Sequence, residues 1–450
     1  MGDASPGGRD GLHVTLVVAN TFQFDSRQLR TARTLADAGH HVRILAWADA
    51  ALPREEEFGA GVRLSRIDLD RRISSALRPL PQIVRRGICQ ALGLDPERTV
   101  LSPEPSHGLD RLRHPLRRML EVVANARRVG PWADAVTDAA AETEVFQAKA
   151  LIVLPVVREA ARRLGGRFVY DVADYHTEAA RLARMPGMVR QLVRRRERTW
   201  ARDAAGTLAV SDPVADLVQR RWGIARPVML MNCPPAWRPD EPGSIESDLV
   251  RVAAGIDAHR PLVLYQGGYS VDRGIEELVT AMDEPPMRAL DAVCAFMGFG
   301  RLEGWLHEQA AARPGRIVVL PPVPPDDLLP WTASADVTFV GQPPRTLNQR
   351  LNLPNKLFES LMAGVPVVVS ADNAQCELTS EEGVGACADI DSPRAIADAL
   401  SSILAQPADV QRDLRAHCRT VALERYSWER NVAGLTGLYR RLAETRSPVA

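Results

Sequence analysis

"LNLPNKLFESLMAGVPVVVS", residues 351–370, reads as a loop, a short helix and a buried strand. Pro354 suits the first helical turn, where its missing N–H would have no partner anyway. Asn352 or Asn355 can cap nearby, and Gly364 ends the helix. One residue is out of pattern. Of the 56 Lys and Arg residues in the chain, only Lys149 and Lys356 are lysine. A lysine in a first turn opposes the helix dipole, which prefers Asp or Glu there. It fits if an anion bound at the helix N-terminus neutralises both. A compact ammonium also suits a tight pocket better than a guanidinium does. The backbone N–H groups of Asn355, Lys356 and Leu357 are expected to face that anion. Glu359 lies three residues on, on the same helix face. A carboxylate there suits ribose hydroxyls; the plainer reading is a solvated i,i+3 pair.

Short apolar runs alternate with helical stretches on both sides of this motif. HVTLVVA (13–19), a helix over 26–39 and HVRILAW (41–47) make a βαβ unit, which implies a parallel sheet. RFVYDV (167–172), GTLAVS (206–211) and PVMLMN (227–232) continue the strands. A Pro-rich acidic stretch, CPPAWRPDEPGSIES (233–247), reads as a linker. The alternation restarts with strands at 261–268, 291–300, 316–323, 336–341 and 365–370 and closes with helices near 392–405, 408–424 and 428–445. The fold class is therefore α/β, two Rossmann-like doubly wound domains facing a cleft. The expected divisions are a tail (1–12), a first domain (13–235), a linker (236–250), a second domain (251–425) and a closing helix (426–450).

Gly267 and Gly268 follow a strand and let backbone approach a ligand closely. Arg273 then opens a helix and can clamp diphosphate oxygens. Gly298 and Gly300 repeat the device in FMGFG.

Composition excludes several classes. Zero formal net charge gives no whole-protein case for nucleic acid. Six scattered cysteines, with no C-x-x-C spacing, read as buried reduced thiols. The longest apolar runs, such as LIVLPVV (151–157), are too short to span a bilayer, and the N-terminus lacks the pattern of a signal peptide. Residues 63–130 fit neither domain's rhythm. They carry 14 Arg against 7 acidic residues, 14 − 7 = +7. Within them LRRMLEVVANARRV (116–129) reads as a basic amphipathic helix, and Arg194, Arg195, Arg196 and Arg198 form a second basic run. Both are either solvated faces or contacts for an anionic lipid surface or lipid-phosphate acceptor.

The C-terminal half resembles the GT-B glycosyltransferases of the retaining family-4 type, through YQGGYSVDRGIEEL, FMGFG, LPPVPPDDLLPWTASADV and above all LNLPNKLFESLMAGVPVVV. DSRQLRTARTLADAGHHVRIL, VFQAKALIVLPVVREAARRLG and RFVYDVADYHTEAAR are similar to the family's N-terminal elements, and YSWERNVAGLTGLYRRL to its terminal helix, which crosses back to the first domain. The resemblance implies a nucleotide-diphospho-sugar donor, a UDP-sugar ahead of a GDP-sugar. Arg273 and Lys356 would hold its diphosphate and Glu359 its ribose. It implies no metal and no other cofactor, because basic residues and helix dipoles stabilise the leaving diphosphate. The acceptor, a sugar, a lipid-linked molecule or a small molecule, would fall to the first domain, with Asp25, Arg27, Lys149, Asp174 and His176 as candidates.

Two departures stand out. Relatives carry a glutamate eight residues before the one matched by Glu359; here it is Leu351. Two family histidine positions hold Ala173 and Lys149. A nucleotide-sugar epimerase of the same architecture, or a degenerate, non-catalytic partner protein, are the rival readings. The expected setting is bacterial glycoconjugate, polysaccharide or secondary-metabolite synthesis. The expected location is the cytoplasm, including the inner face of the membrane.

Overall fold

Alternation of short apolar runs with helices produces two sheets among the described residues. The computed structural model describes residues 11–23, 25–59, 61–69, 129–183, 185–239 and 248–445. They divide into two units. One holds the chain to Ala209, Asp216–Val228 and the chain from Thr436; the other holds Val210–Ala215 and Met229–Leu435.

The first sheet contains β1 (His13–Val17), β2 (His41–Trp47), β3 (Glu55–Glu57), β4 (Arg63–Ile67), β5 (Val145–Lys149), β6 (Arg167–Val172), β7 (Gly206–Ala209) and β8 (Val228–Met229), in the order β3-β4-β2-β1-β5-β6-β7-β8. β3 runs antiparallel to β4. The pairs joining β4, β2, β1, β5, β6 and β7 are parallel. Helix α1 (Ser26–Asp37) makes the first crossover; α2 (Leu154–Leu164), α3 (Gly187–Asp203) and α4 (Asp212–Trp222) follow. Strand order reverses direction between β1 and β5, which makes the carboxyl ends of those two strands the crevice where such sheets take ligands.

The second sheet contains β9 (Leu262–Tyr269), β10 (Val293–Gly300), β11 (Ile317–Leu320), β12 (Val337–Val340), β13 (Val367–Ser370) and β14 (Gly385–Ala388), all parallel, in the order β11-β10-β9-β12-β13-β14. Its reversal lies between β9 and β12. Around it lie α5 (Ile275–Ala281), α6 (Asn355–Met362), α7 (Ala374–Glu382), α8 (Pro393–Leu404) and α9 (Ala408–Arg425). The valine run of β13 shows why the strand reads as continuously apolar. Val368 packs with Ile396 and Leu400 of α8 on one face. Val367 and Val369 pack with Leu357, Phe358 and Leu361 of α6 on the other. A strand covered on both faces has no polar side to show.

The last helix, α10 (Trp428–Glu444), starts in the second unit, and its residues from Thr436 belong to the first. Its end is pinned to the first sheet. Tyr439 Oη donates to Gln147 Oε1 at 2.8 Å. A Cβ on Gly206 would come 2.7 Å from a Leu438 methyl group.

Several expectations are corrected. Residues 63–67 are strand β4 of the first sheet, and 129–139 are helical, so neither end of the supposed 63–130 insertion stands outside the domain. The basic stretch at 70–128, the tail to residue 10 and linker residues 240–247 lie outside the described residues. A helix at Leu249–Ala254 begins inside the expected linker. Cys376 and Cys387 are not free thiols. They form a disulfide with Cα atoms 5.5 Å apart, because the first turn of α7 packs beside β14. Cys233, Cys294 and Cys418 form no disulfide among the described residues and are buried.

Candidate functional site

Helix α6 follows the reversal of the second sheet and aims its first turn back at β9. Lys356 Nζ stands 4.2 Å above the centre of the Tyr265 ring. It ends 3.4 Å from where a Cβ on Gly267 would be, and Gly267 holds a φ of +110°. The positive φ favours glycine there, while a Cβ would only touch the ammonium at ordinary contact distance. Among the described residues Lys356 has no ion pair. Its pKa falls to about 7, first because burial penalises the charge, then because Arg273 lies close, with Glu359 opposing. Glu359 acts on this ammonium through space but does not come within ion-pair distance of it, so two neighbouring cations stand where an anion could be received.

Arg273 lies in the loop between β9 and α5. Asp272 before it and Gly274 after it both have positive φ, +68° and +65°. Gly341 explains its own identity here, since a Cβ would meet Arg273 O at 2.5 Å. Glu359 is buried, accepting from Asn355 Nδ2 at 2.8 Å and from Gln266 Nε2 at 3.2 Å. Gln266 is fixed in turn by Thr332 Oγ1, which donates to its Oε1 at 2.6 Å.

The structure thus gathers Gly267, Arg273, Asn355, Lys356 and Glu359, and revises the rest. Pro354 is the N-cap of α6 and no side chain caps it. Asn355 serves Glu359 instead. Leu357 is not a ligand group: its N–H donates to Pro354 O at 3.1 Å and its side chain is core. Gly298 faces protein, since a Cβ would lie 2.0 Å from Gly267 O; it lets β10 pass β9 rather than letting a ligand approach. Gly268 meets nothing within 4 Å, and its carbonyl accepts from Tyr265 Oη at 2.9 Å. Sequence reading missed Tyr265 and Gln266, although both stand immediately before the glycine pair on β9.

In the first unit, Lys149 closes β5 and Asp25 caps α1. Lys149 Nζ lies 2.6 Å from each Asp25 carboxylate oxygen. Asn20 Nδ2 also donates to Asp25 at 2.9 Å. The neighbouring backbone is strained, with Phe22 at φ +63° and Ala150 at +74°. Such positions gather at functional sites. His176 is close by: burial lowers its pKa, Asp174 raises it and Lys149 lowers it. Its Nε2 is buried without a hydrogen-bond partner among the described residues. Arg27 is different. It turns into the core and pairs with Asp171 at 2.7 Å, both side chains nearly inaccessible. Gln28 Nε2 donates to the same carboxylate at 2.9 Å. Arg27 is a structural cation, sealed by its partner, and not an acceptor contact. Among the described residues no group of three or more His, Cys, Asp or Glu is placed to hold a metal ion.

The family described as "Glycosyl transferases group 1" matches residues 260–406, which hold every element of the second-unit site. Solved structures match almost end to end. Sucrose-phosphate synthase from Thermosynechococcus elongatus superposes with a TM-score of 0.67 at 17% identity, over 97% of this chain and 100% of that one. The fold is that of the GT-B glycosyltransferase structures, and residues 260–406 are similar to the group 1 glycosyltransferases. Anabaena HepE in complex with UDP and glucose matches this GT-B chain with a TM-score of 0.61 at 15% identity, covering 98% of it and 100% of HepE. WaaG, a glycosyltransferase involved in lipopolysaccharide biosynthesis, reaches 0.58 at 16% identity, over 97% and 100%. At such identities the likeness is one of fold. Among curated proteins, a D-inositol 3-phosphate glycosyltransferase from Xylanimonas cellulosilytica is 28% identical over 203 residues, 44% of this chain. The chain spans 46% of that relative's length.

Proposed function

We propose that this GT-B chain is a retaining glycosyltransferase of the family-4 type. It moves a sugar from a nucleotide-diphosphate donor to an acceptor hydroxyl without a metal. The observation that carries this reading is the pair of cations, Lys356 and Arg273, set without a carboxylate partner at the reversal of the second sheet. As the bond from the sugar to the diphosphate breaks, negative charge grows on the phosphate oxygen. Lys356, Arg273 and the N–H groups of Asn355 and Lys356 are already oriented to receive it. In this reading the acceptor hydroxyl attacks from the face the diphosphate leaves, and its proton passes to the departing phosphate oxygen. Glu359, held by Asn355 and Gln266, accepts the ribose hydroxyls. A UDP-sugar is the favoured donor, supported by the UDP and UDP-glucose bound in the Anabaena structures.

Asp25, Lys149, Asp174 and His176 form the acceptor side. Contact with an anionic lipid surface belongs to the same reading. On α3 Met188 and Leu192 are exposed, at 88% and 57%. Arg195 and Arg196, one turn on, are exposed with no partner among the described residues. Arg194 instead pairs with Glu178, and Arg198 donates to Trp222 O, so half of the basic run already has partners within the first unit. No helix among the described residues is long and apolar enough to cross a membrane.

The test is a transfer assay with a panel of UDP- and GDP-sugars, candidate acceptors and EDTA, with product configuration read by NMR. Expected are transfer with retained anomeric configuration, donor consumption only with acceptor present, and full activity in EDTA. Donor interconversion without acceptor would make the chain an epimerase. Activity that needs added magnesium or manganese would remove the metal-free mechanism.

A further inference from the structure

Arg273 has no hydrogen-bond partner of its own among the described residues, so something else must fix it. Its loop is an unfavourable one. Asp272, a non-glycine residue, sits at φ +68°, and Gly274 at +65° opens α5. Turns of this kind persist only where their surroundings over-determine them. Next to it runs the loop after β12, which is itself held hard. Gln342 N donates to Ser370 Oγ at 2.7 Å, at the end of β13. Arg345 N donates to Pro343 O at 2.8 Å. Thr346 and Gln349 close a capping box on the following turn. From that base the Arg345 guanidinium reaches out in two directions. Nη1 donates to Asp272 Oδ1 at 2.7 Å, and Nη2 donates to Asp391 Oδ1 at 2.7 Å, beyond β14.

We propose that Arg345 is a positioning residue for Arg273: by bridging Asp272 to Asp391 it locks the left-handed turn that aims Arg273 at the donor diphosphate. The role rests on the reading of Arg273 as a diphosphate ligand. Arg345 does not itself touch the donor. Its two hydrogen bonds are exposed at the guanidinium, so the bridge is weak as a source of stability. Its effect lies in which conformers the loop samples before the donor arrives, a cost that preorganisation removes from binding.

The experiment is a double-mutant cycle read by calorimetric binding of UDP to the full chain, with GDP in parallel. The proteins are wild type, Arg345→Gln, Arg273→Ala and the double variant. Arg345→Gln is expected to weaken UDP about tenfold, in the coupling range of residues sharing one network, and to leave the melting temperature nearly unchanged. In the Arg273→Ala background the same change is expected to do nothing further. Asp391→Asn, which leaves the Arg345 contact to Asp272 in place, is expected to give a smaller loss and serves if Arg345→Gln folds poorly. A loss of equal size with and without Arg273 would overturn the positioning role, as would wild-type affinity in Arg345→Gln. If Arg273→Ala itself binds UDP like wild type, the diphosphate reading falls and takes the proposal with it. If only Arg345→Gln is silent, the reading stands and the proposal alone falls.

Discussion

The chain's two lysines stand beside the reversal points of its two sheets, in opposite surroundings. Lys149, at the end of β5, is clamped by both oxygens of Asp25 at 2.6 Å. Lys356, over the end of β9, faces an aromatic ring and another cation. The first crevice has neutralised its own charge; the second has left it open. A self-neutralised pair positions hydroxyls through hydrogen bonds and has little pull on an anion. A desolvated, unpaired ammonium does the reverse: it is costly to keep until a phosphate arrives. The proposed division of labour, diphosphate in the second unit and hydroxyl-bearing acceptor in the first, rests on this contrast.

The sharpest way to break the contrast is to remove Lys356. Lys356→Met should weaken UDP binding by about 1.5–3 kcal/mol, the value of a hydrogen bond to a charged group. Far-UV CD should be retained, since methionine can keep the side chain's packing over the Tyr265 ring. Arg273→Ala should lose a similar amount, and the two losses should not add if both cations grip one diphosphate. Wild-type UDP affinity in Lys356→Met would place the diphosphate elsewhere.

Removing the other lysine should move a different quantity. Lys149→Met strands the buried Asp25 carboxylate, which among the described residues keeps Asn20 and the Gln28 N–H. Folding stability in urea should drop by about 1–3 kcal/mol. UDP affinity should stay within experimental error. A large change in UDP affinity here would erase the division of labour between the two crevices.

The smallest effect is expected at Glu359. Glu359→Gln should weaken UDP by about 1 kcal/mol and leave inorganic pyrophosphate, which has no ribose, unaffected. Equal weakening of both ligands would assign the carboxylate to the phosphates or to the local fold.

Much of this was legible because parallel strands and helix punctuation are written locally. HVRILAW and RFVYDV are strands β2 and β6 to the residue. Lys356 could be singled out because its chemistry conflicts with its place in a helix, and such conflicts often mark sites. What stayed hidden depends on partners far along the chain. Arg27 looked available until the fold set Asp171 against it, 144 residues away. Gly298 looked like a ligand-facing glycine, but its constraint is a neighbouring strand. Strand β4 was lost because RLSRI breaks the alternation a strand would show: Arg66 is buried beside Leu64 inside an arginine-rich stretch. The Cys376–Cys387 bridge follows from packing of α7 on β14, which no spacing rule encodes.

The most direct test of the unpaired cation is the pH dependence of donor binding. Burial and Arg273 hold the Lys356 pKa down to about 7. A bound diphosphate favours the charged form, so binding must draw a proton in as pH rises past that value. UDP-glucose affinity, measured by calorimetry between about pH 6 and pH 9, should be level on the acid side of about 7. Above it the affinity should weaken, approaching about tenfold per pH unit as Lys356 loses its proton. In Lys356→Met the affinity should be lower and the slope should vanish. A wild-type affinity independent of pH over this range, or a slope that survives in Lys356→Met, would contradict the account.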